Sequence, residues 1–266
     1  MIRLFKAELR RTFLNESINR FYLFALIIWP LIALIHTIFN LSVFPIHQLK
    51  VSYIKTETQL YYFIFIGYCV FILFSNAVQS SWRLGSERFQ GTLSQIFLAQ
   101  ISKRKWLYFR SISLILINSW FFIFLFIIGC YLYSNKSLSS IINIIIASLI
   151  MLISSWIWSA FISSFFIIMR DGTLLFILLQ GPQDTFSGVQ VPLNISPKFI
   201  QIIGTFFPLS YTIIFLRELL IGKSWENLSS MILMFAMINI IIVIITSYVL
   251  KYGEYYLRTS GNFDFY

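Results

Sequence analysis

The 266-residue chain predicts an all-α polytopic membrane protein, and three observations carry that prediction. Apolar residues make up 58% of it and charged residues only 11%, where a soluble domain carries about 25% charge. Mean hydropathy is +0.81. Several uncharged runs reach the roughly 20 residues that a helix needs to cross about 30 Å of hydrocarbon. That composition excludes a water-soluble enzyme. With no internal repeat and no polar appendage, residues 1–266 are expected to form a single transmembrane domain.

Residues 1–20 place Ile2, Phe5, Leu9 and Phe13 on one helical face and Arg3, Lys6, Arg10 and Arg11 largely elsewhere. This pattern predicts a helix lying in the membrane interface. A secretory signal peptide fits less well: the charged region is long, the next apolar run exceeds an h-region, and no small-residue cleavage site follows. Six spans come next, near 21–41, 60–81, 107–133, 141–169, 172–189 and 228–250. A further apolar run, 199–216, is divided by Gly204 and Pro208 into pieces of about nine residues. Each piece is near 14 Å as helix, less than half a crossing. A re-entrant hairpin fits that length, within an outer segment 190–224. The tail from Tyr252 onward is expected to lie along the bilayer surface or to be disordered.

The formal charge of +10 arises from 20 Lys and Arg against 10 Asp and Glu. The basic residues flank hydrophobic runs and do not interleave with base-stacking aromatics in a polar domain, so nucleic acid is not an expected partner. With six spans and an inside N-terminus, fourteen basic residues fall on the cytoplasmic side and six outside. Both termini are therefore expected in the cytoplasm. Cys69 and Cys130 lie within apolar runs and predict packed thiols. His36 and His47 lack acidic or cysteine neighbours at ligand spacing, so no metal site is predicted.

The longest polar connection, 82–106, reads Gly85-Ser86-Glu87-Arg88-Phe89-Gln90-Gly91-Thr92-Leu93-Ser94-Gln95-Ile96-Phe97-Leu98 and then the basic run Lys103-Arg104-Lys105. A short amphipathic helix here would set Leu93, Ile96 and Phe97 against a partner, with Gly91 allowing close backbone approach. The competing reading is an ordinary interfacial turn anchored by positive charge.

The Glu87-Arg88-x-x-Gly91-Thr92-Leu93 run, between the second and third of six spans, resembles the coupling-helix region of type 2 ABC transporter permeases. The outer segment is similar to the same family in Phe186-Ser187-Gly188-Val189-Gln190-Val191-Pro192-Leu193, Ile195-Ser196-Pro197, Phe207-Pro208-Leu209-Ser210-Tyr211 and Leu216-Arg217-Glu218-Leu219-Leu220-Ile221-Gly222. By topology the resemblance covers the whole chain. It implies a subunit of the bacterial cytoplasmic membrane that forms a homodimer or a heterodimer with a second permease. It also implies separate ATPase subunits, which carry ATP and Mg, and export of a hydrophobic or amphipathic substrate such as an antimicrobial peptide or drug. Polysaccharide or teichoic-acid precursors are the alternative cargo of this architecture. Glu87, Arg88, Gly91, Thr92, Leu93 and Phe97 would then belong to the helix that docks in the ATPase. Gly188, Pro192, Pro208 and Arg217 would belong to the outer gate. No cofactor is expected in this chain. Gly222-Lys223-Ser224 copies the end of a P-loop, but Arg217 stands where its first glycine is needed.

A mechanical argument stands beside the likeness: a short helix rigidly joined to two spans can transmit force from a partner that closes on it. On this argument Glu87 and Arg88 fix the helix by charge-assisted bonds, while Leu93 and Phe97 bury apolar surface in the partner.

Gln180-Gly181-Pro182-Gln183-Asp184 interrupts the fifth span. In an unbroken helix Asp184 lies about 18 Å inward from Gly172, a depth at which a carboxylate is costly. Two readings compete. Gly181 and Pro182 end the helix early and leave Gln183 and Asp184 in a watery outer vestibule. Alternatively, Gln180, Gln183 and Asp184 line the dimer pathway, with Arg217 as ion partner of Asp184. Span one, with Pro30, and span five are the expected dimer contacts. Two other function classes remain open, an ATP-independent membrane immunity protein and an intramembrane enzyme. The enzyme needs convergent nucleophile, acid or metal groups, and 180–184 is the one internal polar cluster in the sequence.

Overall fold

The structure is a computed structural model that describes residues 2–17, 20–42, 56–89, 91–169, 173–193, 195–221 and 225–260. The described residues form helices and no strand: α1 (Ile2–Ser17), α2 (Arg20–Ser42), α3 (Glu57–Phe89), α4 (Thr92–Leu98), α5 (Lys103–Tyr133), α6 (Leu138–Ile168), α7 (Thr173–Phe186), α8 (Lys198–Gly204), α9 (Pro208–Leu220) and α10 (Trp225–Ser260). Four stretches are long and apolar enough to cross a membrane: Glu57–Leu84, Lys103–Tyr133, Leu138–Ile168 and Ser229–Leu257. Counting α8 and α9 as one broken span makes a fifth. Among the described residues the architecture is thus all-helical, with four to five helices apolar and long enough to span a membrane.

Helix α3 is the axis of the bundle. Within its apolar stretch 78% is buried, against 17% in that of α10. Helices α5, α6 and α9 pack around α3, while α2, α4 and α7 lie along it; α1 rests on α5, and α10 covers α6 and α9. The close approach follows from small residues on α6: Ala147, Ser148, Ser154, Ser155, Ser159, Ala160, Ser163 and Ser164 are all buried. Small side chains let backbones approach in lipid, where apolar burial alone gives helices little reason to associate. Their hydroxyls also bond across the helices. Ser163 Oγ donates to Ser81 Oγ at 3.0 Å, Ser81 Oγ to the Ser159 carbonyl at 3.1 Å, and Ser154 Oγ meets Thr212 Oγ1 at 2.9 Å. Each such bond contributes about 0.6 kcal/mol in a membrane protein, so packing of these faces supplies the larger share of cohesion. The outward faces are apolar instead, with Phe124 and Ile128 on α5, Ile145 and Leu149 on α6, and Leu233, Ile240 and Ile244 on α10 exposed.

Several sequence expectations change here. The first expected span, 21–41, is a helix, but its described apolar stretch is the shorter Phe24–Phe39. The fifth, 172–189, shrinks to the 14 residues of α7, about 21 Å long. Gly181 and Pro182 do not end it: Pro182 stands inside α7, which runs on to Phe186. The chain turns beyond that point, where Gly188 takes φ 77°, a backbone region that side chains disfavour. The run divided by Gly204 and Pro208 is two short helices meeting at 99°, a bend that suits a re-entrant loop or a broken span. The tail is not irregular through Ser260, because α10 continues without a break to that residue.

Candidate functional site

At the α4 end of the bundle the 82–106 connection is almost wholly helical. Helix α3 runs to Phe89, a turn through Gly91 starts α4, and α5 begins at Lys103. Gly91 takes φ 68°, and a Cβ there would meet nothing within 4 Å. Within the chain Gly91 therefore serves the left-handed turn, and the space beside it is open. Thr92 Oγ1 donates to the Glu87 carbonyl at 3.0 Å, tying α4 to the last turns of α3. Lys103 Nζ donates to the Ile96 carbonyl at 3.0 Å and to that of Ala99, covering the C-terminal carbonyls of α4 from the first turn of α5.

Glu87 is the junction of three helices. Its Oε1 accepts from Arg110 Nη2 of α5 at 2.6 Å, and its Oε2 lies 3.0 Å from Arg11 Nη2 of α1. Arg110 is only 4% exposed. Glu8 joins from α1, accepting from the buried Trp106 indole at 3.0 Å. Trp106 in turn meets the Phe97 ring edge-on, at 6.4 Å between centroids, and carries the Arg110 guanidinium over its own ring. Burial pushes the Glu8 carboxyl above its ordinary range, with Arg110 and Arg11 opposing and Glu87 reinforcing the shift. One connected cluster thus binds α4 to α1, α3 and α5.

This geometry corrects the expected docking face. Leu93 and Phe97 are 2% and 3% exposed and belong to the chain's own core, so they are not available to a partner. The free edge of the segment carries Gln95, Leu98, Ala99 and Gln100, with Leu98 81% exposed. Glu87 likewise braces the chain internally. The Arg88 side chain lies outside the described residues, as do His47 and the 222–224 tripeptide.

The second site lies at the other end of α3. Phe63 is 24 residues from Glu87 along that helix, about 36 Å. Arg217 of α9 is buried there, and its Nη1 donates to the Gly188 carbonyl at 2.7 Å, its Nη2 to Val189 at 2.6 Å and to Phe63 at 3.2 Å. The guanidinium also lies 3.4 Å from the centroid of the Phe63 ring. Gly67 of α3 makes room: a Cβ there would collide with Arg217 Nη2 and sit 2.6 Å from the Val189 carbonyl. The guanidinium fork, with several fixed donors, joins α3, α9 and the 187–193 turn. Gly188 and Pro192 lie in that turn, beside a cavity of about 240 Å³ that Arg217 and Ser187 also line. Pro208 opens α9, and Ser210 Oγ bonds the Gly204 carbonyl at 2.7 Å across the bend. The four expected outer residues are thus on neighbouring elements. The expected Asp184 to Arg217 ion pair is replaced, because carbonyls and not that carboxylate hold the arginine.

Gln180, Gln183 and Asp184 do not converge on a common opening. Gln183 is fully buried and accepts from Trp158 Nε1 of α6 at 2.8 Å. Gln180 donates through Nε2 to Ser75 Oγ of α3. Asp184 is half-buried in the last turn of α7. Within the chain, both glutamines tie α7 to its neighbours.

No protein-family model matches the chain, and no curated protein matches it. Glu8 and Gly67 carry no expectation from the sequence, and Lys103, Trp106 and Arg110, legible there as interfacial basic and aromatic residues, act instead as internal ties. Glu8 carried a signal, being the one acid among the first fifteen residues, one turn from Arg11 and Thr12. Trp106, Arg110 and Gly67 have partners well separated along the chain, whereas Lys103 reaches back only to Ile96 and Ala99.

Proposed function

We propose that the chain is the membrane-spanning subunit of an ATP-driven exporter of the ABC type, acting as a dimer and driven by separate ATPase subunits. The observation that carries this reading is the half-buried state of α4. Its inner face is braced by Thr92 on α3, Lys103 on α5 and the Phe97–Trp106–Glu8 contacts reaching α1, while Leu98 and Gln95 are exposed on its outer edge. A push on that edge passes to three helices at once, because packed interfaces move as bodies and do not yield locally. A wholly buried α4 would give a partner nothing to push.

In this reading α2, α3, α5, α6 and α10 cross a bacterial cytoplasmic membrane, and α7, only about 21 Å long, makes the remaining crossing together with the 187–193 turn. The termini and α4 lie inside, and the Arg217-held pair α8 and α9 re-enters from outside. The basic residues, fourteen against six, support that sense of insertion. ATP and Mg belong to the partner. The cargo is hydrophobic or amphipathic, of the drug or peptide kind, passing between two copies whose exposed apolar faces on α2 (Trp29, Ile32) and α7 (Ile177, Leu178) meet. The test is to extract the tagged chain from its own membranes and assay the complex. An ATPase that copurifies, with export stopped by vanadate, is the expected result. Export that persists with vanadate present and no ATPase bound overturns the reading in favour of an ATP-independent immunity protein.

A further inference from the structure

At the same end of the bundle as α4, a cavity of about 520 Å³ opens between the start of α5 and the later turns of α10. Lys103, Arg104 and Lys251 line it against one carboxylate, Glu254, with Ser247 and Tyr248 among the remaining walls. Its size is that of sites that enclose small ligands. Its depth matters as much as its charge. Lys103 begins the apolar stretch of α5, and 247–254 are among the closing turns of the crossing stretch of α10, so the cavity sits where helices leave hydrocarbon. From its mouth an exposed apolar stripe, Tyr248, Ile244 and Ile241, runs along α10 toward the middle of that stretch.

We propose that this cavity binds the headgroup of an anionic phospholipid, with the phosphate between Arg104 and Lys251 and the acyl chains lying along the α10 stripe. Excess positive charge at a membrane surface selects anionic over zwitterionic lipid, and each nearby cation strengthens the attraction. The stripe is what favours a lipid over a soluble phosphate, which has no use for an apolar track. Tyr248, 72% exposed, presents an amphipathic ring at the headgroup level, where such rings are enriched. The inference goes beyond the exporter reading and stands independently of it, because neither ATP nor a second subunit enters the argument.

The test uses the purified full chain in a zwitterionic detergent, titrated separately with dioleoyl phosphatidylglycerol and dioleoyl phosphatidylcholine, with retained lipid read by native mass spectrometry. Wild type is expected to retain the glycerol lipid preferentially. Arg104→Gln with Lys251→Gln, both exposed positions, is expected to reduce that preference by about thirtyfold, the order that two interfacial cations supply, without moving the unfolding midpoint. Ser247→Leu keeps every charge and occludes the cavity, so it too is expected to lose the preference, which guards against misfolding of the double variant. Equal retention of the two lipids by wild type, or an undiminished preference in both variants, overturns the proposal. Full displacement of phosphatidylglycerol by equimolar glycerol 3-phosphate overturns it in favour of a soluble phosphate ligand. Loss of a copurifying protein in the double variant with lipid preference intact overturns it in favour of an acidic protein segment.

Discussion

Glu87 holds its position because its two oxygens meet guanidiniums from two other helices, and Arg110 is buried against it. Glu87→Gln leaves that guanidinium without its counter-charge in a site closed to water, a change that costs about 3 kcal/mol. A clear drop in the denaturant midpoint of the detergent-purified chain is expected; an unchanged midpoint would show the brace to be idle. Glu8 titrates in the opposite sense to a stabilised carboxylate. Burial raises its folded pKa above the ordinary 4.5, so its contribution is full below that value and is lost as pH rises through the raised one. Glu8→Gln keeps an acceptor for Trp106 and removes the titration. The wild type should therefore lose stability on the alkaline side of pH 4.5 more steeply than the variant in thermal melts across pH. At the far end of α3, Arg217→Lys replaces a fork by a single ammonium that cannot serve the Gly188, Val189 and Phe63 carbonyls together. A loss of about 3 kcal/mol is expected, read as faster proteolysis within 187–193. Gly67→Ala should reproduce it by pushing Nη2 aside.

At the scale of elements, α4 separates what a sequence pattern can and cannot specify. The spacing of Leu93, Ile96 and Phe97 placed a short amphipathic helix correctly, because side chains three and four apart share a face. Periodicity does not say whether that face meets a partner or the chain's own core. The answer depended on Trp106 and Glu8, the latter nearly a hundred residues away. The long spans α3, α5, α6 and α10 were legible for a simpler reason: continuous apolar length has few other uses. At α7 the sequence leaves two readings open, because Gly181 and Pro182 can break a helix, whereas Pro182 is in fact carried inside a helix tied to its neighbours by Gln180 and Gln183. Arg217 was recognised as part of the outer segment but given the wrong partner, since buried carbonyls leave no mark in a sequence. The corrected orientation of α4 yields opposite expectations for two leucines five residues apart. Leu93→Asp buries a carboxylate in the core and should abolish folded protein in the membrane. Leu98→Asp changes an exposed side chain and should leave expression and the unfolding midpoint near wild type, within about 0.5 kcal/mol. Similar yields of both variants would mean that α4 packs otherwise.

For the whole molecule, the two sites stand at opposite ends of one buried helix. The Glu87 cluster braces α3 at the α4 end, and Arg217 grips it about 36 Å away. Displacement imposed on α4 therefore has a stiff route to the 187–193 turn and the α8–α9 bend, which is the arrangement an exporter opening its outer side requires. The exposed apolar faces of α2 and α7 supply the surface along which two such bodies would enclose a pathway. The proposed exporter requires that the free edge of α4 receive work from an ATPase. The direct measurement is vanadate-sensitive ATP hydrolysis in the complex purified through the tagged chain, comparing wild type, Leu98→Ala and Leu98→Asp at equal amounts of folded subunit. Activity that falls by about tenfold or more in Leu98→Asp, and less in Leu98→Ala, is the predicted result for a contact at the centre of an interface. Full activity and full export in Leu98→Asp would contradict it.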